Sequence, residues 1–568
     1  MTYDELLELL TFDPRLLRNN ELEVIVRYSG DLYKIERETG LKTDVLDPNF
    51  AIISGEVSKL ASLYSYSEIQ ALELPKTLSL YAESGRNASC VPEAYSPPYS
   101  LSGDGTLVCV IDSGIDYTHP EFLDPSGGSR ILYAWDMTYD GNDKDTKGFQ
   151  TFGIGKVYGK SELDAALRTN DPLSLVPFTD RARHGTAVAA VAAGSRIGVA
   201  RQAGIVAVKL GNGSQSQTGA FSTAAEIMRA LHFAAEATQK LSMPAAVNLS
   251  YGTNNGGHSG DSLFESYIDE FCLKRDLVLC TPTGNEGATG HHFSAYVQSS
   301  RTDEISFSSS GSGDRFYVTL WKNFVDSMSF SVVSPSGAST PFLDETSRFY
   351  FTSLGTVRLS VYFEQPSPSS YSQEIYFVFE SGSGVIPPGL WQIKVRGTDV
   401  TDGRIDAWLP TVEDVGNDTV FLSPDNEITL TLPSTAKNVI SVGGYDETTG
   451  NTAPFSGVGY TRENVFVKPD LCAPCVDIVS ASPNGSYSSF TGTSFASPFV
   501  CGGAALLLEW GVVKENDPLL YGQRLKAFLR KGARRTSGLS FPSPERGYGA
   551  LCLSRTLSLL TKYDGGTL

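Results

Sequence analysis

The run TLVCVID at residues 106–112 is apolar almost without interruption. A strand buried on both faces reads this way, whereas a strand with one wet face alternates. AGIVAVKLG, PAAVNLSYG, DLVLCTPTG and NVISVGGYD share the texture. Between them, FSTAAEIMRALHFAAEATQKL places Ile227, Leu231 and Ala234 at helical spacing. Strands and helices in alternation predict an α/β domain with a mainly parallel sheet and helices on both faces.

The alternation begins near residue 105, stops near 291 and resumes near 433. In the gap, FYVTLWKNF, MSFSVVSPSG, RFYFTSLG, VRLSVYFEQ, QEIYFVFESG and GLWQIKVRG are short aromatic and β-branched runs separated by Ser, Gly and Pro. Such spacing predicts an antiparallel sandwich or jelly roll inserted into a loop of the α/β domain. Residues 1–95 have a third texture. ELEVIVRYSG and FAIISGEV read as strands, VSKLASLYSYSEIQAL contains a helix, and LELPKTLSLY is extended, which makes a small α+β unit. The expected division is therefore 1–95, 96–290, 291–432 and 433–568, and 568 residues suit that number of domains.

A net charge of −19 disfavours partners that are themselves anionic, so neither nucleic acid nor a membrane surface is expected. The start of the chain, MTYDELLELLTFDPRLL, is acidic where a secretory signal is basic. No run of about 18 apolar residues predicts a membrane span. Most of the eight Cys read as buried free thiols, which suits a reducing, cytoplasmic setting. Cys472 and Cys475 form a CxxC with no second pair, and residues 139–148 lack the ligand pattern of a calcium loop, so no metal or cofactor is expected. Asp116 and Glu121 read as part of a surface turn. Trp321 and Trp391 read as core of the insert rather than a platform for sugar rings.

Three segments carry chemistry. VCVIDSGID puts Asp112 at the end of a buried strand. RHGTAVAAVAAG puts His184 just before a helix of small residues. FTGTSFASPFVCGGAALL puts Ser494 at the start of another helix. Strand ends and helix starts are where open α/β sheets gather their sites. A Ser hydroxyl becomes a nucleophile when a base takes its proton, His titrates in the right range, and a buried carboxylate fixes the imidazole tautomer. Pro498 is expected in the first turn of its helix, where a missing N–H costs little. In CTPTGNEG, Asn285 follows a buried strand, so its amide suits an oxyanion. Each motif alone is also a common turn or cap. Together, in this order, they predict nucleophilic acyl transfer.

VIDSGID, HGT, GNEG and GTSFASP resemble the motifs of the subtilisin-like serine proteases, the subtilases. The resemblance implies a triad of Asp112, His184 and Ser494, with Asn285 in the oxyanion hole. NLSYG resembles the strand that pairs with substrate backbone, so Ser250, Tyr251 and Gly252, with Thr283 and Gly284 opposite, are expected to bind peptide. The N-terminal unit resembles a subtilase propeptide, an intramolecular chaperone and inhibitor whose extended tail enters the active site. With the insert, the whole chain most resembles the clostridial Csp-type subtilases. Some of these process a spore cortex hydrolase zymogen during germination, which adds a spore-associated location to the cytoplasmic one. Others in that group are catalytically silent, so a regulatory pseudoprotease is the alternative to a self-processing endopeptidase.

Overall fold

In the computed structural model, the described residues are 21–45, 49–73, 81–143, 145–211, 222–311, 313–346, 348–365, 370–382, 384–463 and 466–564. They fall into two compact units, residues 1–80 and 81–568.

The first unit is a four-stranded antiparallel sheet in the order 42–45, 50–56, 21–28, 69–73. Val24, Val26, Ala51 and Ile53 alternate inward and meet Leu32 and Ile35 of the helix Leu32–Thr39. The segment expected to hold a helix contains one turn, Val57–Leu60, and a 3-10 stretch before Ile69–Glu73 pairs as a strand. Most of the expected extended tail, residues 74–80, lies outside the described residues.

The second unit is built on an eight-stranded sheet in the order 471–474, 440–445, 277–282, 245–249, 107–112, 204–209, 131–136, 156–159. All neighbours are parallel except the last pair, where Lys156–Gly159 runs antiparallel to Ile131–Asp136. The five apolar runs read from the sequence are five of these strands. Every residue of Leu107–Asp112 is buried, as a strand covered on both faces must be. One face packs against the helices His184–Ala193 and Thr493–Leu508, the other against Ala224–Leu241 and Leu263–Phe271. The first two are rich in Ala and Gly, which lets them lie close to the sheet. One helical stretch, Thr493–Val513, is long and apolar enough to cross a membrane, and 89% of its apolar window is buried in this core.

The insert forms two antiparallel sheets, of six and four strands, around one apolar cluster. Val318, Leu359 and Phe377 from one sheet meet Phe307, Phe330 and Ile393 from the other. Trp391 is fully buried there, which removes it as a sugar platform. At the base of the insert, the Trp408 ring is stacked between His258 and His292, with centroids 4.1 and 4.6 Å away. Asp406 accepts from Arg462 Nε at 2.7 Å beside them. Burial pushes the His258 imidazole down to about 4, so it stacks as a neutral ring.

Six of the eight cysteines are buried free thiols, as expected of most of them, and Cys90 and Cys552 form a disulfide. Main-chain bonds from Leu553 to Ser89 and from Ser554 to Cys90 hold the two segments side by side. Glu121 is not part of a surface turn. It is fully buried, with Oε2 accepting the N–H groups of Arg196 and Ile197 and Oε1 accepting the Tyr487 hydroxyl.

Candidate active site

Asp112 ends its strand in the sheet interior and is 1% exposed. Its carboxylate accepts the N–H of Ser113 at 2.7 Å and faces His184, whose Nδ1 lies 2.8 Å from Oδ1. The approach is possible because residue 185 is glycine. A Cβ there would sit 2.2 Å from the carbonyl oxygen of Gly114 and 3.0 Å from the Cβ of Asp112. Asp180 fixes the start of the His184 helix. It accepts from the N–H and hydroxyl of Thr186 at 2.8 and 2.7 Å, from the N–H of Arg183 at 2.9 Å and from Ser113 Oγ at 2.9 Å. Nothing in PFTDRARHG marks this aspartate except its nearness to a helix start.

Burial of the His184 ring works against its protonated form. The charge and hydrogen bond of Asp112, with Asp180 and Glu413 further off, outweigh that, and the imidazole pKa lies above its ordinary value. The ring meets Phe495 edge-on at 5.6 Å, in the first turn of the helix that carries Ser494.

Pro498 is six residues into that helix rather than in its first turn. Its missing N–H is the one that would bond the carbonyl of Ser494. That carbonyl instead accepts the Ser250 hydroxyl at 3.4 Å. Asn248 joins the same tie, donating to Ser250 Oγ at 2.8 Å and accepting from Ser497 Oγ at 2.7 Å.

Asn285 is held by the residue before Ser494. Its Oδ1 accepts the N–H of Thr493 at 3.0 Å, which turns Nδ2 toward open space. There Nδ2 donates to Oε1 of Glu413 at 3.1 Å. Glu413 comes from the short helix Val412–Val415, which leads out of the insert, and no motif in the sequence pointed to it.

Asp112, His184, Ser494, Asn285, Ser250, Tyr251, Gly252 and Gly284 line one cleft of about 550 Å³. Thr283 is the exception. It is buried, with its hydroxyl 3.4 Å from Ser456 Oγ, and its neighbours Pro282 and Gly284 line the cleft in its stead. Thr431 adds a feature the sequence did not signal. Its side chain lies between Gly252 and Gly284, at each of which a Cβ would come within 2.5 Å of it. Among the described residues, no group of His, Cys, Asp and Glu is arranged to hold a metal ion. In the loop 139–148, Asp143 and Asp145 pair with Lys156 and Lys147 instead.

This arrangement puts a carboxylate, an imidazole, a hydroxyl and a fixed amide donor around one space, at the carboxyl ends of the central strands. The chain matches the Subtilase family over residues 103–314 and 399–550, and the Csp protease B prodomain family over residues 4–76. The solved structure of the Clostridium perfringens CspB protease is 34% identical, with a TM-score of 0.77 over 84% of this chain and 98% of that one. Among curated proteins, Subtilisin-like protease 10 of Arthroderma otae is 41% identical over 15% of this chain and 20% of its own length. The PII-type proteinase of Lacticaseibacillus paracasei is 23% identical over 76% of this chain and 24% of its own length. The matched regions thus span a quarter or less of these two curated relatives. The chain belongs to the subtilase family of subtilisin-like serine proteases, and its N-terminal unit is a prodomain of the Csp protease B type.

Proposed function

We propose that the protein is a serine endopeptidase that processes its own prodomain. Ser494 attacks the scissile carbonyl while His184 takes its proton. Asp112, bonded to Nδ1, holds the ring in the tautomer that leaves Nε2 free to accept and stabilises the imidazolium that forms. The Asn285 amide and the N–H of Ser494 receive the oxyanion, and loss of one such donor costs roughly 3–4 kcal/mol of transition-state stabilisation. His184 then protonates the leaving amine, and water repeats the sequence to release the acyl group. The peptide lies extended along Ser250, Tyr251 and Gly252, adding a strand whose side chains meet Gly284 and its neighbours.

The observation that carries this reading is the 2.8 Å contact from His184 Nδ1 to Asp112, in a cleft that also presents Ser494 and Asn285. In this assignment, residues 1–95 are chaperone and inhibitor, 96–290 and 433–568 the protease body, and 291–432 a jelly roll that braces the cleft. The resemblance to the Csp-type subtilases, some of which process a spore cortex hydrolase zymogen, extends the proposal to a spore germination zymogen as physiological substrate, met in the cytoplasm or the spore.

Intact mass and N-terminal sequencing of wild-type and Ser494→Ala protein test it. After reduction of the Cys90–Cys552 disulfide, the wild type is expected to show loss of its prodomain by cleavage near residues 80–98, and it is expected to react with a fluorophosphonate at Ser494. The variant is expected to do neither. A folded, processed wild type that takes no label identifies a catalytically silent regulator instead.

A further inference from the structure

Glu413 places a carboxylate on the one side-chain donor that the proposed reaction needs for a negative oxygen. The Asn285 amide cannot turn away, because Thr493 holds its Oδ1 at 3.0 Å. The backbone around Glu413 is equally fixed. The N–H of Val412 donates to Oε1 of Glu286 at 3.0 Å. Glu286 is buried, and its other oxygen lies 2.8 Å from His291 Nδ1. Leu409 donates to the carbonyl of His291 at 3.0 Å, and Thr411 Oγ1 donates to Asp414 at 3.0 Å. Strand 404–408 delivers this segment from the six-stranded sheet of the insert, so the insert sets where Glu413 stands.

In this position Glu413 opposes catalysis in two ways. It competes for the Asn285 N–H, and its charge repels the oxyanion. A neutral peptide has to overcome both effects. A substrate cation that pairs with Glu413 relieves both, because the carboxylate is drawn off the amide and its charge is balanced. The surroundings favour such a cation. Asp112, Glu286, Glu413 and Asp414 line the cleft, and no Lys or Arg is among the described residues that do. A cleft lined by one sign of charge also concentrates the opposite sign.

We propose that Glu413 is a specificity-determining residue that selects peptides carrying Lys or Arg close to the scissile bond. The inference rests on the serine-protease reading above and names its substrate class. Steady-state kinetics on matched peptides, in which Lys or Arg at successive positions around the cut is exchanged for Gln, test it in the full, processed protein. The wild type is expected to favour the cationic peptide by about tenfold or more in kcat/KM at one or two positions. Glu413→Gln and Glu413→Ala are expected to bring the two within about threefold, mainly by faster cleavage of the neutral peptide. Glu413→Lys is expected to prefer acidic peptides. Glu413 is exposed, and thermal midpoints close to wild type verify that the variants fold. A cationic preference that survives in Glu413→Gln, or is missing from the wild type, overturns the assignment. Fluorophosphonate labelling separates the two levels. Labelled Ser494 with unaltered selectivity overturns the role of Glu413 alone, whereas unlabelled, inactive wild type overturns the protease reading and this inference with it.

Discussion

Ser250 donates its hydroxyl to the main-chain carbonyl of Ser494 at 3.4 Å, across 244 residues of sequence. The bond exists because Pro498 has no N–H with which to claim that carbonyl for the helix. A helix otherwise closed on itself is thereby stitched to the residue that follows a sheet strand, at the first position where substrate is proposed to pair. The first turn, and Ser494 with it, takes its position from strand 245–249 as well as from its own helix.

Ser250→Ala is expected to destabilise the protein by about 1–2 kcal/mol in urea unfolding, because it strands the buried Asn248 amide as well as the Ser494 carbonyl. The same variant is expected to lower kcat more than it raises KM, since the displaced group is the nucleophile's own backbone. An unfolding curve superimposable on wild type would show that the tie carries no load.

The strands of the central sheet were legible because burial on both faces leaves an apolar run with no helical period to confuse it. The strands of the insert were legible for a different reason: aromatic and β-branched runs separated by turn residues at short intervals. Asp112, His184, Asn285 and Ser494 were legible because each sits in a local motif at a strand end or helix start. Asp180, Thr431 and Glu413 were not, because their significance is a matter of what they face after folding. Thr431 lies in TLTLPS and Glu413 in PTVEDVG, and neither stretch differs from an ordinary loop. The start of the Ser494 helix was legible to within one residue, but Pro498 lies past the first turn counted from it, and that offset decides which carbonyl loses its partner. The Cys90–Cys552 disulfide was illegible since 462 residues separate the pair.

The raised pKa of His184 gives a pH profile with a definite sign. The proposed base works neutral, so kcat/KM is expected to fall on the acid side as pH drops through the imidazole pKa, with its midpoint above the ordinary value of about 6.5. Burial lowers that pKa and the charge of Asp112 raises it. Asp112→Asn is therefore expected to move the acid limb to lower pH while cutting kcat by roughly 10³–10⁴-fold. Glu413→Gln is expected to move the limb the same way by less, without that loss. Acid limbs that coincide in all three proteins would contradict this account of His184.

Glu374 ties stability to pH in the opposite direction from most carboxylates. Burial raises its pKa from 4.5 to about 7, against the Thr319 hydroxyl that donates to it. The folded state then holds a proton that the unfolded chain has released. The resulting stabilisation is full below about pH 4.5 and is lost as pH rises through about 7. Thermal or urea melts are expected to show this component declining by about 2–3 kcal/mol between pH 5 and pH 8, and to show it missing in Glu374→Gln. A variant whose stability tracks wild type across that range would place the titration elsewhere.

Thr431 is expected to set how large a side chain the cleft accepts, because it lines the cleft against Gly252 and Gly284. It hydrogen-bonds through its N–H to the carbonyl of Thr283 at 3.0 Å, so it cannot drift from the gap between Gly252 and Gly284. Each of those glycines already sits against it as closely as a residue without Cβ can. A second cavity of about 590 Å³, lined by Tyr251, Gly252, Leu432 and Trp321, adjoins the cleft and shares Tyr251, Gly252 and Thr253 with it. The wild type is thus expected to cleave peptides with Ala or Ser against the wall in preference to Leu or Phe. Thr431→Gly is expected to raise kcat/KM for the Leu and Phe peptides by about tenfold or more, while changing the Ala peptide by less than about threefold. Deleting the hydroxyl and both of its neighbouring carbons' contacts removes bulk without touching Ser494, His184 or Asn285, so an equal gain on every peptide would mean that the wall limits access and not side-chain size.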